Sequence, residues 1–353
     1  MVQAPGSRAK FMSVSASTDI PSAEEGNGGY DSADSLSLRN PTFIVSSGRC
    51  GSTLISNLIR LHPQILSLSG LFASLQTEPF PGGAVSGREF WALLSLPRSA
   101  YTEMLRPDRS IGEFLYRFGQ SSRFTRETGV PPLLLITLPH IADDAEAVFD
   151  ELGAWLCDQP TQGIGDHFRQ LFRWLCRRFN RLAAVERSGS SLSWLSSLQT
   201  MFPEARFVHL FRDGRDCALS MSRHHGFRLS LARGMMPGGF LMPAQRLAPE
   251  TIPIEAFGRS WSEMVVRGYR QLEQLSAGQV MHLCYETLVA KPSQELRRLC
   301  EFIGVSCDDA WLATASQVPS ARTREKPVMS DEQRRRLDAA CSEGMRLLYG
   351  DQR

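Results

Sequence analysis

The chain has 353 residues, 42% of them hydrophobic, which suffices for one large domain or two modest ones around a packed core. A net charge of +2, with no basic block beyond Arg334 to Arg336, argues against a dedicated nucleic-acid binder. No window approaches about 18 apolar residues and no signal-peptide pattern is present, so neither a membrane span nor export is expected.

Residues 1–40 are rich in Ser, Gly, Asp and Ala and read as a flexible tail. From Pro41 to His62 an apolar strand (Phe43 to Val45), a small-residue loop (Ser46 to Ser52) and an amphipathic helix follow one another without spare residues. That order builds an anion site: glycines at 48 and 51 let the backbone approach a ligand, and free amides at the helix start attract a phosphate-type group. Arg49 adds a full positive charge. The loop departs from GxxxxGK[ST], because Gly51 is followed by Ser52 and Thr53 and Ser46 stands where the first glycine would be. It therefore suits a 5′-phosphate and its substituent, and lacks the lysine that grips β- and γ-phosphates.

Residues 64–130 are irregular, with helical patches at Glu89 to Leu96 and Ile111 to Phe118, and suit an insertion forming an acceptor pocket. Pro132 to Thr137 (PLLLIT) reads as a buried strand ending at His140, and residues 140–182 as a helical insertion with Phe168, Leu171, Phe172 and Leu175 facing the core. A short strand, Ala183 to Arg187, precedes Ser188-Gly189-Ser190-Ser191, which opens a helix.

Phe207 to Phe211 is again of strand length, Asp213-Gly214 turns the chain, and Asp216 is placed to cap the next helix. Arg212 sits at the strand end and Ser220 about two turns into that helix, so a guanidinium and a hydroxyl can close on one phosphate. Residues 226–253, with several glycines, prolines and methionines, read as a lid. A helix over Glu255 to Leu275, a strand over Val280 to Tyr285, a basic loop with Arg322, Arg324 and Lys326, and a terminal helix over 330–349 complete the chain. Ser330 and Gln333 form a capping box for that last helix, which stops at Gly350. Together these elements predict an α/β three-layer sandwich with a central parallel sheet, P-loop-like, carrying helical insertions; residues 41–353 form one domain.

At this point the sequence resembles the PAPS-dependent sulfotransferases, PAPS being 3′-phosphoadenosine 5′-phosphosulfate. Their 5′-phosphosulfate loop, [KR]-x-G-[ST]-[ST], is matched by Arg49, Cys50, Gly51, Ser52 and Thr53, with Gly48 just before it. Their later arginine, with a serine eight residues on, is matched by Arg212 and Ser220. HLCYETLVAKPSQELRRLCEFIGV is similar to the family's tyrosine-glutamate strand end, proline and helix, and the stretches Val185 to Trp194 and Phe207 to His224 are most similar to bacterial branches. The resemblance covers most of residues 41–305. It implies PAPS as sulfate donor, held by those residues, and a small-molecule, lipid or carbohydrate acceptor. It also places Glu186, Arg187 and Ser188 near the transferring group.

The reaction so implied is in-line displacement at sulfur, which requires charge neutralisation at the bridging oxygen and removal of a proton from the acceptor. Arg49 fits the first task. For the second, the glutamate that related bacterial sequences place after the first helix corresponds here to Gly70, so His140 and then Glu186 are the candidate bases. His224 and His225 can approach the acceptor, and no ligand spacing suggests a metal. Eight cysteines without a CxxC pair are expected to be reduced thiols of a cytoplasmic protein, with Cys50 either a reactive thiol beside Arg49 or a filler. The alternatives are a P-loop-type nucleotide kinase and a catalytically weakened nucleotide-binding protein.

Overall fold

Nine strands occur among the described residues of the computed structural model: β1 (Thr42–Val45), β2 (Ile65–Ser69), β3 (Ala84–Val85), β4 (Gln162–Gly163), β5 (Ala183–Arg187), β6 (Arg206–Phe211), β7 (Met235–Met236), β8 (Phe240–Leu241) and β9 (Val280–Cys284). The structure describes residues 38–75, 80, 82–105, 112–119, 122–232, 235–236, 240–241, 251–317 and 329–350. Five strands form a parallel sheet in the order β2-β5-β1-β6-β9, while β3 with β4 and β7 with β8 make small antiparallel pairs.

The helices are α1 (Ser52–Arg60), α2 (Leu71–Ser74), α3 (Gly87–Ser95), α4 (Ser99–Met104), α5 (Leu138–Ile141), α6 (Ala145–Cys157), α7 (Ile164–Arg178) and α8 (Leu195–Met201). They continue with α9 (Gly214–Ser222), α10 (His225–Ala232), α11 (Ile254–Leu272), α12 (Tyr285–Ala290), α13 (Pro292–Ile303), α14 (Asp309–Ala315) and α15 (Asp331–Tyr349).

Strand alternation divides the core between the two sheet faces. On one side Phe43 and Val45 join an aromatic-rich cluster with Phe72, Phe90, Phe168 and Phe202, the Phe43 and Phe202 rings lying 5.0 Å apart. On the other, Ile44 meets Ile55, Val208, Trp261 and Leu337. Helices thus cover both faces of a sheet buried throughout its centre, the expected three-layer α/β fold.

Because β1 lies between β5 and β6, the turns leaving these three strands emerge side by side at one sheet edge. A ligand seated there is reached from three separate chain segments.

Four sequence expectations need correction. Pro132 to Thr137 is not a strand: Leu133–Thr137 forms a single wide π-helical turn that runs into α5. Leucine is a good helix former, and a leucine run lacks the β-branched side chains that favour the pleated sheet. The missing strand is β2, within the stretch assigned to the first insertion; Ser67 and Ser69 interrupt its apolar pattern although all five residues are buried. Residues 112–118 are not helical. Finally, Asp213, not Asp216, caps α9, its side chain accepting from the Arg215 amide at 2.9 Å.

Other expectations hold. β5 has the predicted limits, and α15 begins with the capping box of Ser330 and Gln333. Of the lid assigned to 226–253, residues up to 232 continue α10; most of the rest, together with the tail residues 1–37 and Arg322, Arg324 and Lys326, lies outside the described residues.

Candidate active site

The loop after β1 is wound through the left-handed region, with φ of 83° at Gly48, 58° at Arg49 and 92° at Gly51. Only glycine adopts this conformation at no cost, so the two glycines fix where the loop can turn. Their lack of a Cβ is also used. A methyl at Gly51 would stand 2.3 Å from the Tyr285 ring, and one at Gly48 would stand 2.7 Å from Phe227 and 2.9 Å from Ser190 Oγ.

The loop is tied down from the neighbouring strand end: Ser190 Oγ donates to Ser47 O at 3.3 Å, and the Leu192 amide to Ser46 O at 3.1 Å. Helix α1 begins at Ser52 with no side-chain cap and no acidic residue in its first turn. Its first amides and the positive end of its dipole therefore remain available to an anion. Ser52 is buried and Thr53 exposed at this helix start.

Arg49 projects from the loop between two partners. Nε donates to Ser220 Oγ at 3.1 Å, and Nη1 donates to Glu113 Oε1 at 2.7 Å. The first contact joins the two turns that sequence reasoning assigned to opposite ends of one ligand. Glu113 also faces His224 Nε2 at 3.2 Å; this imidazole and the Arg49 guanidinium hold its carboxyl down at about 2.

Arg212, at the end of β6, stacks on Tyr285 with 4.6 Å from guanidinium to ring centroid and donates to Asp216 Oδ2 at 2.9 Å. Its Nε is buried without a partner among the described residues. Tyr285 thus packs both the loop glycine and the second arginine.

At the end of β5, Arg187 is buried and donates to Ser69 Oγ at 2.6 Å, while its Nε likewise lacks a partner among the described residues. Two buried guanidinium N–H groups at one sheet edge are costly unless an acceptor arrives.

Glu186 is buried beside Arg187, and burial pushes its carboxyl up to about 7. Ser188 Oγ donates to it at 2.7 Å and itself accepts from the Ala73 amide at 3.0 Å; the Leu71 and Phe72 amides also approach. Glu186 therefore brings a carboxyl to the backbone that immediately follows Gly70. Gly70 itself has φ 70°, and a Cβ there would stand 3.0 Å from Ile136 Cδ1. A glutamate at that position would be strained.

His140 lies elsewhere than the sequence suggested. It is on α5 rather than at a strand end, between Ser56 Oγ at 3.3 Å and Ser67 Oγ at 3.4 Å, and burial with the nearby Arg60 and Arg187 charges holds it down at about 4. Among the described residues it makes no hydrogen bond to Arg49, Arg212 or Glu186.

Cys50 is fully buried, and burial pushes its thiol up, so it fills space in the loop. No group of described residues has the composition of a metal site, and all eight cysteines are unpaired. Glu113 and Phe227 were not singled out from the sequence, and nothing in the irregular segment marked Glu113; Tyr285 was marked only as part of the tyrosine-glutamate strand end, with no contact assigned to it.

A parallel sheet carrying a lysine-free, glycine-wound loop after its central strand, and an arginine turn on the adjacent strand, defines an α/β protein with a candidate phosphoanion cradle at one sheet edge. The chain belongs to the sulfotransferase family, whose model matches residues 41–309, and its activity class is sulfuryl transfer.

No curated protein sequence matches the chain. Among solved structures it is similar to the sulfotransferase domain of the Synechococcus olefin synthase, at 17% identity over 89% of this chain and 98% of that one, with a TM-score of 0.44. A sulfotransferase from Mycobacterium avium matches at 15% identity over 90% and 78%, with a TM-score of 0.44. A mouse sulfotransferase solved with PAP matches at 12% over 87% and 84%, with a TM-score of 0.39.

Proposed function

We propose that the protein transfers the sulfuryl group of PAPS to a hydroxyl or amine of a small-molecule, lipid or carbohydrate acceptor. The observation that carries this reading is the Arg49–Ser220 contact of 3.1 Å, which brings the 5′-side loop and the 3′-side helix within reach of one nucleotide. The residues present fit that donor. Unpartnered N–H groups of Arg187 and Arg212 and the uncapped start of α1 supply donors for several anionic oxygens. No lysine follows Gly51, which favours a 5′-monophosphate derivative over a nucleoside triphosphate.

When bound, the donor supplies an electrophilic sulfur whose bond to the bridging phosphate oxygen breaks as the acceptor oxygen or nitrogen bonds to it. Arg49, with Ser52 and the loop amides, neutralises the charge that grows on the bridging oxygen. Arg212 and Ser220 fix the 3′-phosphate, Arg212 being held flat by Tyr285.

Glu186 takes the acceptor proton. Its carboxyl lies in the neighbourhood of Gly70, is kept dry, and is poised at about 7, where a general base is most effective at neutral pH. His140, neutral and clamped between two serines, is a structural group in this reading.

No described helix is long and apolar enough to cross a membrane, and eight unpaired thiols fit a reducing compartment such as the cytoplasm. Calorimetry with adenosine 3′,5′-bisphosphate against ATP tests the nucleotide assignment: the bisphosphate binds and ATP binds far more weakly. Radiolabelled PAPS offered with phenols, sugars and lipids tests transfer. Preference for ATP, or absence of transfer to every acceptor class, would overturn the reading.

A further inference from the structure

Glu113 belongs to a segment without regular structure, yet its position is fixed. The Leu115 amide donates to Leu135 O at 2.8 Å, a carbonyl within the wide π-helical turn Leu133–Thr137. Such turns interrupt the regular i to i−4 ladder and release backbone groups for other partners. The tether sets the Glu113 carboxylate against Arg49 Nη1 at 2.7 Å.

With Ser220 Oγ on Nε, the Arg49 side chain reaches from its loop toward α9 on one side and the 112–119 segment on the other. The guanidinium that must meet a 5′-phosphosulfate is thus already engaged by a carboxylate.

We infer that Glu113 is a positioning residue acting through Arg49: it holds the guanidinium until a 5′-anion displaces it, and it then remains paired with His224. This inference rests on the PAPS reading and deepens it. The exchange is balanced in charge, because Arg49 trades one anionic oxygen for another while the Glu113 carboxylate keeps the imidazole at 3.2 Å. The side chains are 25% and 31% exposed, so the pair is open to an incoming anion, and the donor replaces the carboxylate oxygen on Arg49 with one of its own.

Glu113→Gln removes the competing charge and preserves size. By calorimetry the variant should bind adenosine 3′,5′-bisphosphate about three- to fivefold more tightly than the parent, the range expected from losing one partly exposed ion pair. Adenosine 3′-monophosphate, which has no 5′-anion to claim Arg49, should bind both proteins equally. A purely structural role for Glu113 would not separate the two ligands. Equal or weaker binding of the bisphosphate to the variant, or an equal gain for the monophosphate, overturns the inference while leaving the donor assignment intact. Failure of the parent protein to bind the bisphosphate would instead overturn both.

Discussion

Gly51 and Tyr285 are in direct apposition: a single methyl on the glycine would enter the tyrosine ring at 2.3 Å. The same ring stacks on Arg212, so the loop after β1 and the turn after β6 are spaced by one aromatic side chain. Helix α12, which begins with Tyr285 directly after β9, therefore takes part in shaping the candidate anion site from a third strand end.

This contact predicts that Gly51→Ala is destabilising on two counts, the clash and the φ of 92°. A loss of about 1–3 kcal/mol in chemical denaturation is expected from the overpacking and the strained backbone. Adding Tyr285→Ala should restore only part of it, since the second change relieves the clash and leaves the backbone strain. Full recovery in the double variant would show that φ at 51 carries no strain.

Arg212→Ala should weaken binding of adenosine 3′,5′-bisphosphate by roughly 1.5–3 kcal/mol, the scale of a charge-assisted contact. Calorimetry on both proteins reads this directly. Equal affinity would place the 3′-phosphate elsewhere.

Glu186 gives a pH signature. Its folded value of about 7 lies above the ordinary 4.5, so the folded protein holds a proton that the unfolded chain releases between these values. Its contribution to stability is therefore fully present below about 4.5 and is lost as pH rises through about 7, by up to on the order of 3 kcal/mol. Glu186→Gln should flatten that part of the profile measured by denaturant unfolding. It should also lower turnover by about 10² or more if the carboxyl removes the acceptor proton. A variant with unchanged turnover would exclude that role.

His140 acts in the opposite sense. Held at about 4 against an ordinary 6.5, it stays neutral in the fold while the unfolded chain takes up a proton. Stability from this site is present above about 6.5 and falls as pH drops toward 4. His140→Asn should reduce acid sensitivity in that window, and an unchanged acid limb would show that the imidazole is free to protonate in place.

Cys50 should resist iodoacetamide in the folded protein, whereas the partly exposed Cys157 and Cys307 should be modified first. Peptide mapping by mass spectrometry after a timed exposure distinguishes these sites. Early labelling of Cys50 would mean that the loop opens.

Much of this protein is written locally. The glycine spacing at 48 and 51, the arginine at a strand end with a serine two helical turns on, and the capping box at Ser330 depend on a few neighbouring residues, so the sequence alone determined the wound loop after β1, the strand-to-helix turn at Arg212 and the last helix. The exchange of PLLLIT for ILSLS as a sheet strand could not be read that way. Ser67 and Ser69 are tolerated in a buried strand because partners from other elements meet their hydroxyls: the Ser56 carbonyl of α1, with His140 beside it, for Ser67, and Arg187 for Ser69. For the same reason only the tertiary structure put Glu186 beside Gly70 and Glu113 against Arg49, because a buried charge is decided by the partners and the dielectric around it, and those come from chain segments that the fold alone brings together.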